Sequence, residues 1–263
     1  MSTSPHQPPH PLANRDLKPR WLRNAAPEPP STGRPLVAVI IDDLGTDKNR
    51  SWRTIGLKGP LTLSFYAHAS DLPEMAQTAR RAGHELLVHV PMEPMSKDLN
   101  MGPNGLAVGL DPMEVRRRLR WHLERFDGYV GINNHMGSRF TSDPESMMPV
   151  MEEIKARGLL FVDSRTISTS IGIEVAQRLG VPNAARDVFL DNEVDVSSIG
   201  ERLSELEAIS RRNAMAVAIG HPHDETLDAL EQWMADLPSK DVVLVPISTI
   251  VRERRRRGAG RLA

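Results

Sequence analysis

Short apolar runs alternate with longer amphipathic segments along most of this chain. The apolar runs are rich in β-branched residues and predict buried strands at 36–41, 61–66, 85–90, 128–132, 159–162, 186–190, 215–219 and 241–247. The amphipathic segments predict helices near 47–56, 72–82, 111–126, 143–157, 171–180, 197–212 and 224–236. Repeated alternation of strand and helix indicates an α/β fold with a parallel sheet. Seven or eight repeats of about 28 residues each are typical of a (β/α) barrel.

The two ends of the chain do not follow this pattern. Residues 1–35 are rich in Pro, His, Ser and Asn and have no apolar period, so we expect a disordered leader or linker. Residues 36–251 form the predicted barrel domain. Residues 252–263 are basic, with four consecutive arginines at 254–257, and we interpret them as a solvated tail rather than as a binding patch for an anionic polymer or lipid.

Composition narrows the possible functions. A net charge of -1 gives no indication of nucleic-acid binding, and the absence of cysteine excludes disulfides, thiolate metal sites and a cysteine nucleophile. No apolar run reaches the roughly 18–20 residues of a membrane helix, and the N-terminus lacks the basic and then apolar pattern of a secretory signal. No glycine-rich phosphate motif follows a predicted strand, which disfavours a dinucleotide or nucleoside triphosphate.

Polar residues that do not suit a core follow the predicted strands at their C-terminal ends. These residues are Asp42 and Asp43, His89 and Glu93, Asn134, His135 and Arg139, Asp163 and Arg165, Asp191, and His221 and His223. Because the carboxyl ends of parallel strands meet at one rim, where barrel enzymes hold their active sites, we expect these side chains to lie close together.

One carboxylate and two imidazoles from separate strands suit a divalent transition metal such as zinc. We predict Asp43, His89 and His135 as the ligands, because three protein ligands leave a position open for water. Asp42 is then the general base, and His221 is the acid that protonates the leaving group. Two alternatives remain: the paired acids could cap the following turn, and His89 could be a hydrogen-bonded core residue.

Two arginines at the predicted rim also have two interpretations. Arg139 and Arg165 could position a carboxylate base or bind an anionic substrate. They could instead form structural ion pairs with an acid at a nearby strand end, namely Asp163, Asp187 or Asp191.

Five motifs occur in a fixed order along the chain. They are Val39-Ile-Ile-Asp42-Asp43-Leu-Gly, Gly83-His84-Glu85-Leu-Leu-Val-His89-Val-Pro-Met-Glu93-Pro, Asn133-Asn134-His135-Met-Gly-Ser-Arg139, Phe161-Val-Asp163-Ser-Arg165-Thr and Ile219-Gly220-His221-Pro. Together they resemble the divergent polysaccharide deacetylase family, a branch of the NodB-like carbohydrate esterases. The resemblance covers about residues 36–251.

The resemblance implies a distorted (β/α) barrel, often with seven strands, and a metal at its C-terminal rim. It implies that Asp42 is the base, Asp43 a metal ligand and His221 the catalytic histidine. The family has a second histidine four residues after the one that matches His89, and here Glu93 stands at that position. Either Glu93 or His135 takes the ligand role, or the deacetylase chemistry is lost. The usual Arg-x-Pro motif has no clear match, and Arg139 or Arg165 is the expected substitute.

The predicted function is therefore a metal-dependent hydrolase that removes N-acetyl or other acyl groups from a polysaccharide or cell-wall sugar. The alternative is a catalytically inactive barrel that binds a glycan or a cell-envelope partner. We expect a group of polar residues to bind substrate or support the site: Glu93, Asn134, Arg139, Asp163, Arg165, Asp191 and His223. The resemblance implies a bacterial periplasm or cell envelope, although no export signal is visible, and the oligomeric state stays open.

Overall fold

The computed structural model describes residues 18–27 and 33–259. The strands are β1 (Leu36–Leu44), β2 (Thr62–Tyr66), β3 (Glu85–Met92), β4 (Gly131–Met136), β5 (Leu160–Asp163), β6 (Asn183–Ala185), β7 (Val188–Phe189), β8 (Met215–Gly220) and β9 (Val243–Leu244). The α-helices are α1 (Arg20–Arg23), α2 (Lys48–Ile55), α3 (Leu72–Arg81), α4 (Pro112–Leu123), α5 (Pro144–Ala156), α6 (Gly172–Leu179), α7 (Val196–Asn213), α8 (Asp224–Asp236) and α9 (Ile247–Ala259). Among the described residues, no helix is both long and apolar enough to cross a bilayer.

The strands form one parallel sheet in the order β6-β5-β4-β3-β2-β1-β8-β7, which curls into a half-barrel surrounded by helices. Strand β9 pairs with the first two residues of β1, on the edge where the later residues of β1 pair with β2. This architecture confirms the predicted α/β barrel class. Within residues 18–27 and 33–259, nine strands replace the expected seven or eight because the segments on either side of Arg186 form two separate short strands, β6 and β7.

The strands of the barrel bury residues on both faces, which explains their continuous apolar runs. On β1, Val37, Val39 and Ile41 face the surrounding helices and belong to the larger core cluster. Ala38 and Ile40 face the concave interior and belong to a second, smaller cluster. On each strand, every second residue therefore faces the concave interior, and these residues form an interior series that runs from the N-terminal end of the strand to its C-terminal rim.

The C-terminal segment is a helix that fills the interior, whereas the sequence predicted a strand to residue 247 and a solvated tail after 251. Ile247, Ile250 and Val251 lie on one face of α9 and pack into the interior cluster. Their spacing of three and four residues fits one face of a helix, which burial then stabilises. Residues 260–263 of the expected tail lie outside the described residues.

Part of the expected disordered leader also has a defined structure. Trp21 is buried in the interior cluster, and its backbone N–H donates to Gly158 O at 2.9 Å. The Asn24 side chain donates to Tyr129 O at 2.8 Å. Burial of one tryptophan side chain offsets the entropy cost of ordering this short segment. The proline content of the leader did not indicate that this segment would be ordered. Residues 1–17 and 28–32 lie outside the described residues.

Glu85 joins these two segments at the N-terminal end of the sheet. Its carboxylate accepts the Ala26 N–H at 3.0 Å, the Ser248 N–H at 2.8 Å and the Ser248 hydroxyl at 2.6 Å. Burial raises the pKa of Glu85. The leader segment and α9 are therefore attached to the same buried side chain at the end of the barrel opposite the predicted rim.

Candidate active site

The interior series of each strand ends in a polar residue at the C-terminal rim. Asp42 follows Ala38 and Ile40, while His89 follows Glu85 and Leu87. The same alternation places Tyr66, Asn133, Ser164 and His221 at this rim. The sheet thus brings side chains from six strands or strand ends to one place.

An irregularity in β1 directs both paired acids to the same imidazole. The pairing of β1 with β2 shifts between Ile41 and Leu44, and Asp43 has a left-handed backbone conformation with φ 60°. Neighbouring residues on a regular strand point to opposite faces, so this bulge re-aims Asp43. As a result, Asp42 Oδ2 lies 3.8 Å and Asp43 Oδ1 3.1 Å from His89 Nε2. A strained conformation of this kind is typical of functional sites.

Asp43, His89 and His135 form a cluster whose geometry fits a divalent cation. Asp43 Oδ1 lies 3.1 Å from His89 Nε2 and 3.1 Å from His135 Nδ1, and the ligand atoms all lie within 4.8 Å of one another. Asp43 Oδ1 is buried, yet within the described chain no hydrogen bond of good geometry reaches it. A buried carboxylate oxygen without a hydrogen bond is costly, and a cation among these three atoms would satisfy it.

Asn133 orients His89 and the first of the two acids. Asn133 Oδ1 accepts from His89 Nδ1 at 2.8 Å and from Ser64 Oγ at 2.5 Å, while Asn133 Nδ2 donates to Asp42 Oδ1 at 2.7 Å. A proton on His89 Nδ1 leaves the lone pair of Nε2 facing Asp43, the tautomer that binds a metal. Asn133 was not among the predicted site residues, although its place in the interior series could have identified it.

Tyr66 is a second residue that the sequence prediction missed. Its hydroxyl lies 2.6 Å from His135 Nδ1, and its ring packs edge-on against the rings of His89 and His135. Burial, followed by the charge of Asp43, raises the pKa of Tyr66, so the phenol stays neutral. Tyr66 ends an apolar run, which is why it resembled a core residue.

Asp191 holds His221 on the opposite side of the site. Asp191 Oδ1 lies 3.1 Å from His221 Nδ1, and Asp191 Oδ2 accepts the backbone N–H of His221 at 2.5 Å and the Thr226 hydroxyl at 3.0 Å. His223 lies close enough to make these three residues a possible second cation cluster. Because both oxygens of Asp191 already have partners, the arrangement supports His221 better than it would bind an ion.

The two predicted catalytic residues have shifted acidities. Burial raises the pKa of Asp42. Burial lowers the pKa of His221, but its hydrogen bond to Asp191 outweighs this effect and raises it to about 9. Burial raises the pKa of Asp43, but the contacts with His135 and His89 outweigh this effect and hold the pKa below its ordinary range. At neutral pH, His221 is therefore protonated and Asp43 ionised.

A cavity of about 430 Å³ opens beside these residues. The lining includes Asp42, His89, Asn134, His135, Ser164, Arg165, Arg186, Phe189, Asn192 and His221. Asn134 also accepts the Ser164 N–H at 2.9 Å, and Asp163 accepts the Arg165 N–H at 2.8 Å. Asn134 and Asp163 therefore hold the backbone of Ser164 and Arg165, which line the cavity.

Glu93 and Arg139 lie outside the cavity and bind each other. Arg139 Nη1 lies 2.5 Å from Glu93 Oε1, and Glu93 Oε2 accepts the Val108 N–H at 2.6 Å. The ion pair with Glu93 replaces the pairs with Asp163, Asp187 or Asp191 that the sequence had suggested for Arg139. His223 is likewise absent from the cavity lining.

Comparisons with known proteins are consistent with this geometry. Residues 39–251 match the family described as divergent polysaccharide deacetylase. The chain is 34% identical over 217 residues to the uncharacterized protein YibQ of Escherichia coli K12. The aligned region covers 82% of this chain and 67% of that protein.

Solved structures show the same fold. An uncharacterized protein of Agrobacterium tumefaciens C58 has a TM-score of 0.86 and 31% identity, covering 88% of this chain and 95% of that one. The peptidoglycan deacetylase PdaC of Bacillus subtilis has a TM-score of 0.52 and 13% identity, covering 89% of this chain and 98% of that one. At this identity the second likeness concerns the fold alone. The resemblance stated from the five motifs is confirmed.

Proposed function

This chain belongs to the divergent polysaccharide deacetylase family, and we propose that it is a metal-dependent hydrolase that removes N-acetyl groups from a polysaccharide or cell-wall sugar. One observation carries this proposal. The buried Asp43 Oδ1 faces two imidazole nitrogens and receives no hydrogen bond of good geometry from the described residues, in a site that also holds Asp42 and His221.

Zinc is the ion that best suits one carboxylate and two imidazoles. Asp43 Oδ1, His89 Nε2 and His135 Nδ1 would hold the ion, and His135 Nδ1 would exchange its contact with the Tyr66 hydroxyl for it. His135 would thus take the role of the family histidine at whose position Glu93 stands. A bound zinc ion supplies Lewis acidity, which polarises an acyl carbonyl and lowers the pKa of water at the site.

Asp42 acts as the general base. Its Oδ1 is held by Asn133 Nδ2, and Oδ2 lies 3.8 Å from His89 Nε2, beside the ligand cluster. Burial raises the pKa of Asp42, which makes it a stronger base than an exposed aspartate. Asp42 removes a proton from the water that attacks the acyl carbon.

His221 acts as the general acid. Asp191 holds its Nδ1, so Nε2 is the nitrogen available to substrate, and the pKa of about 9 keeps the ring protonated at neutral pH. When the carbon–nitrogen bond breaks, His221 gives its proton to the departing amine. The products are a free amine on the sugar and a carboxylic acid that contains the water oxygen.

The test is release of acetate from acetylated chitooligosaccharides and peptidoglycan fragments by the zinc-loaded protein. We expect release that a chelator abolishes and that zinc restores, with Asp42→Asn inactive and the exposed Asp241→Asn unaffected. Full occupancy by zinc without any acetate release, in a protein that binds these glycans, would overturn the hydrolase.

That outcome would instead support the second candidate, an inactive barrel that binds a glycan. The observation that favours this candidate is Glu93, which stands at a ligand position of the family and binds Arg139 and the Val108 N–H outside the cavity. Turnover therefore depends on whether His135 completes the ligand set.

A further inference from the structure

Arg165 and Arg186 both line the cavity that holds Asp42 and His221. The hydrolytic chemistry proposed above uses neither of them. Neither guanidinium forms an ion pair with a carboxylate in residues 18–27 or 33–259, whereas about half of the arginines of the described chain do. Two cations facing a cavity without carboxylate partners call for a physical explanation.

Arg186 is held in a fixed orientation by the backbone. Its Nε donates to Ser164 O at 2.7 Å, its Nη2 donates to Arg165 O at 2.7 Å, and its guanidinium carbon lies 5.0 Å from the centre of the Phe189 ring. These contacts leave Nη1 without a hydrogen-bond partner in the described chain. A guanidinium fixed in this way loses little further freedom when it binds a ligand.

Arg165 extends from a strained turn at the end of β5. Its φ of 49° lies in the left-handed region, and its backbone N–H donates to Asp163 Oδ1 at 2.8 Å. The side chain makes no hydrogen bond within the described ranges. Since non-glycine residues rarely adopt this conformation, the strain indicates that the position of Arg165 matters to the site.

The carboxylates around the two arginines are already engaged. Asp163 accepts the Arg165 N–H and the Ser170 hydroxyl, while Asp187 accepts the Val217 N–H and pairs with Arg254 at 3.4 Å. Burial, followed by the charge of Arg165, lowers the pKa of Arg186, while the charges of Asp163, Asp42 and Asp187 act in the opposite direction. The effect of Arg165 agrees with two cations lying close together. Arg186 is half-buried and has two carbonyl partners but no carboxylate partner in the described chain, so an anion beside it would offset the cost of burying its charge. Arg165 is exposed and can reach the same anion.

We propose that Arg165 and Arg186 form an anion-binding subsite beside the reaction centre, so that the preferred substrate is an N-acylated sugar carrying a carboxylate. This inference rests on the proposed function for its location but concerns recognition rather than hydrolysis. Guanidinium groups match carboxylates because their paired N–H donors face both oxygens. The carboxylate could come from a lactyl ether on the acylated sugar or from a neighbouring uronic acid.

Binding calorimetry with the zinc-loaded protein tests the subsite. The first probe is the disaccharide of N-acetylglucosamine and N-acetylmuramic acid, and its methyl ester is the neutral counterpart. We expect the free acid to bind about tenfold more tightly than the ester, as one charge-assisted contact provides. Arg165→Glu should abolish or reverse this preference, whereas the exposed Arg178→Glu should retain it.

A hyaluronan tetrasaccharide distinguishes the two sources of the carboxylate. Tighter binding of this ligand than of the disaccharide acid supports a uronic acid, and the reverse order supports a lactyl ether. If Arg165→Glu does not fold, judged by its thermal unfolding, Arg165→Gln replaces it with the same expected loss of preference.

Equal affinity for acid and ester in the unmodified protein, or an unchanged preference in both Arg165 variants, would overturn the subsite. The hydrolase is judged separately, from acetate release in the same samples. Acetate release without a charge preference would retain the hydrolase and refute the subsite. A charge preference without acetate release would retain the subsite and refute the hydrolase.

Discussion

Asp43 and Glu85 are carboxylates at opposite ends of the same parallel sheet, and their surroundings differ. Glu85, at the N-terminal end, accepts three hydrogen bonds from Ala26 and Ser248. Asp43, at the C-terminal rim, has a buried oxygen that faces two imidazole nitrogens and accepts no hydrogen bond of good geometry within the described chain. Satisfied donors and acceptors indicate a structural group, whereas an unsatisfied oxygen beside potential ligands indicates a binding site.

The two ends of the barrel also differ in what surrounds these acids. At the N-terminal end, Glu85 connects the leader segment and α9 to the sheet through neutral donors. At the C-terminal rim, the polar residues border an open cavity. We therefore expect substitutions at the rim to change the chemistry and substitutions at the opposite end to change the stability.

The largest expected effect is that of Asp42→Asn on acetate release. Asparagine keeps the shape of the side chain but cannot take a proton, so the rate should fall by about a thousandfold, within the range for loss of a general base. The melting temperature should change little, which thermal unfolding checks. A rate within tenfold of the unmodified protein would assign the base role elsewhere.

Glu85→Ala should affect stability instead. The change leaves the Ala26 N–H and both donors of Ser248 without partners, so the free energy of unfolding should fall by about 3 kcal/mol. This loss corresponds to a fall in melting temperature of roughly 6–12 °C for a chain of this size.

Glu85→Gln, which keeps an acceptor, is the matched control and should lose less. Zinc affinity of the folded Glu85→Ala protein should match that of the unmodified one. A loss of zinc binding at full folding would contradict the separation of the two ends.

Asp191→Asn should move the alkaline limb of the pH–rate profile. The active form has a protonated His221, so activity is lost as the pH rises through its pKa of about 9. Without the Asp191 carboxylate this pKa falls towards the ordinary histidine value, and the limb should move to lower pH by up to about two units.

The acid limb should not move, because it reflects Asp42, whose pKa is raised by burial. Thr226→Val is the control, since it removes one donor to Asp191 and keeps the contact with His221. An alkaline limb that stays in place in Asp191→Asn would exclude His221 as the acid.

The smallest effect is expected for Glu93→His, which restores the family pattern at that position. Glu93 binds Arg139 and the Val108 N–H outside the cavity, so a histidine there should not become a ligand. Zinc affinity, measured by competition with a chelator, should stay within about twofold, because no ligand atom is gained. A tenfold gain in affinity would show that the loop of Glu93 reaches the cluster.

The fold and the main part of the site could be predicted from the chain alone. Apolar runs buried on both faces, each ending in Asp or His, gave the parallel sheet and placed Asp42, His89 and His221 at one rim. These predictions succeeded because strand direction determines which end of the sheet a residue occupies.

The sequence did not show which residue pairs with which. The sequence predicted His135 as a ligand and kept Glu93 as the alternative, and tertiary structure places Glu93 against Arg139 and His135 beside Asp43. Tyr66 resembled core because its hydroxyl matters only when His135 lies beside it. The run of arginines concealed the apolar face of α9, which only packing against the sheet interior reveals.

The most direct test of the central claim is a crystal structure of the zinc-loaded protein with anomalous diffraction recorded at the zinc edge. We predict one anomalous peak per chain, between Asp43 Oδ1, His89 Nε2 and His135 Nδ1, at ligand distances of about 2.0–2.2 Å. His135→Ala should lose this peak, while Glu93→Ala should keep it. A fully loaded crystal with no peak at this cluster, or with its peak at Asp191 and His223 instead, would contradict the assignment of Asp43 as the metal ligand.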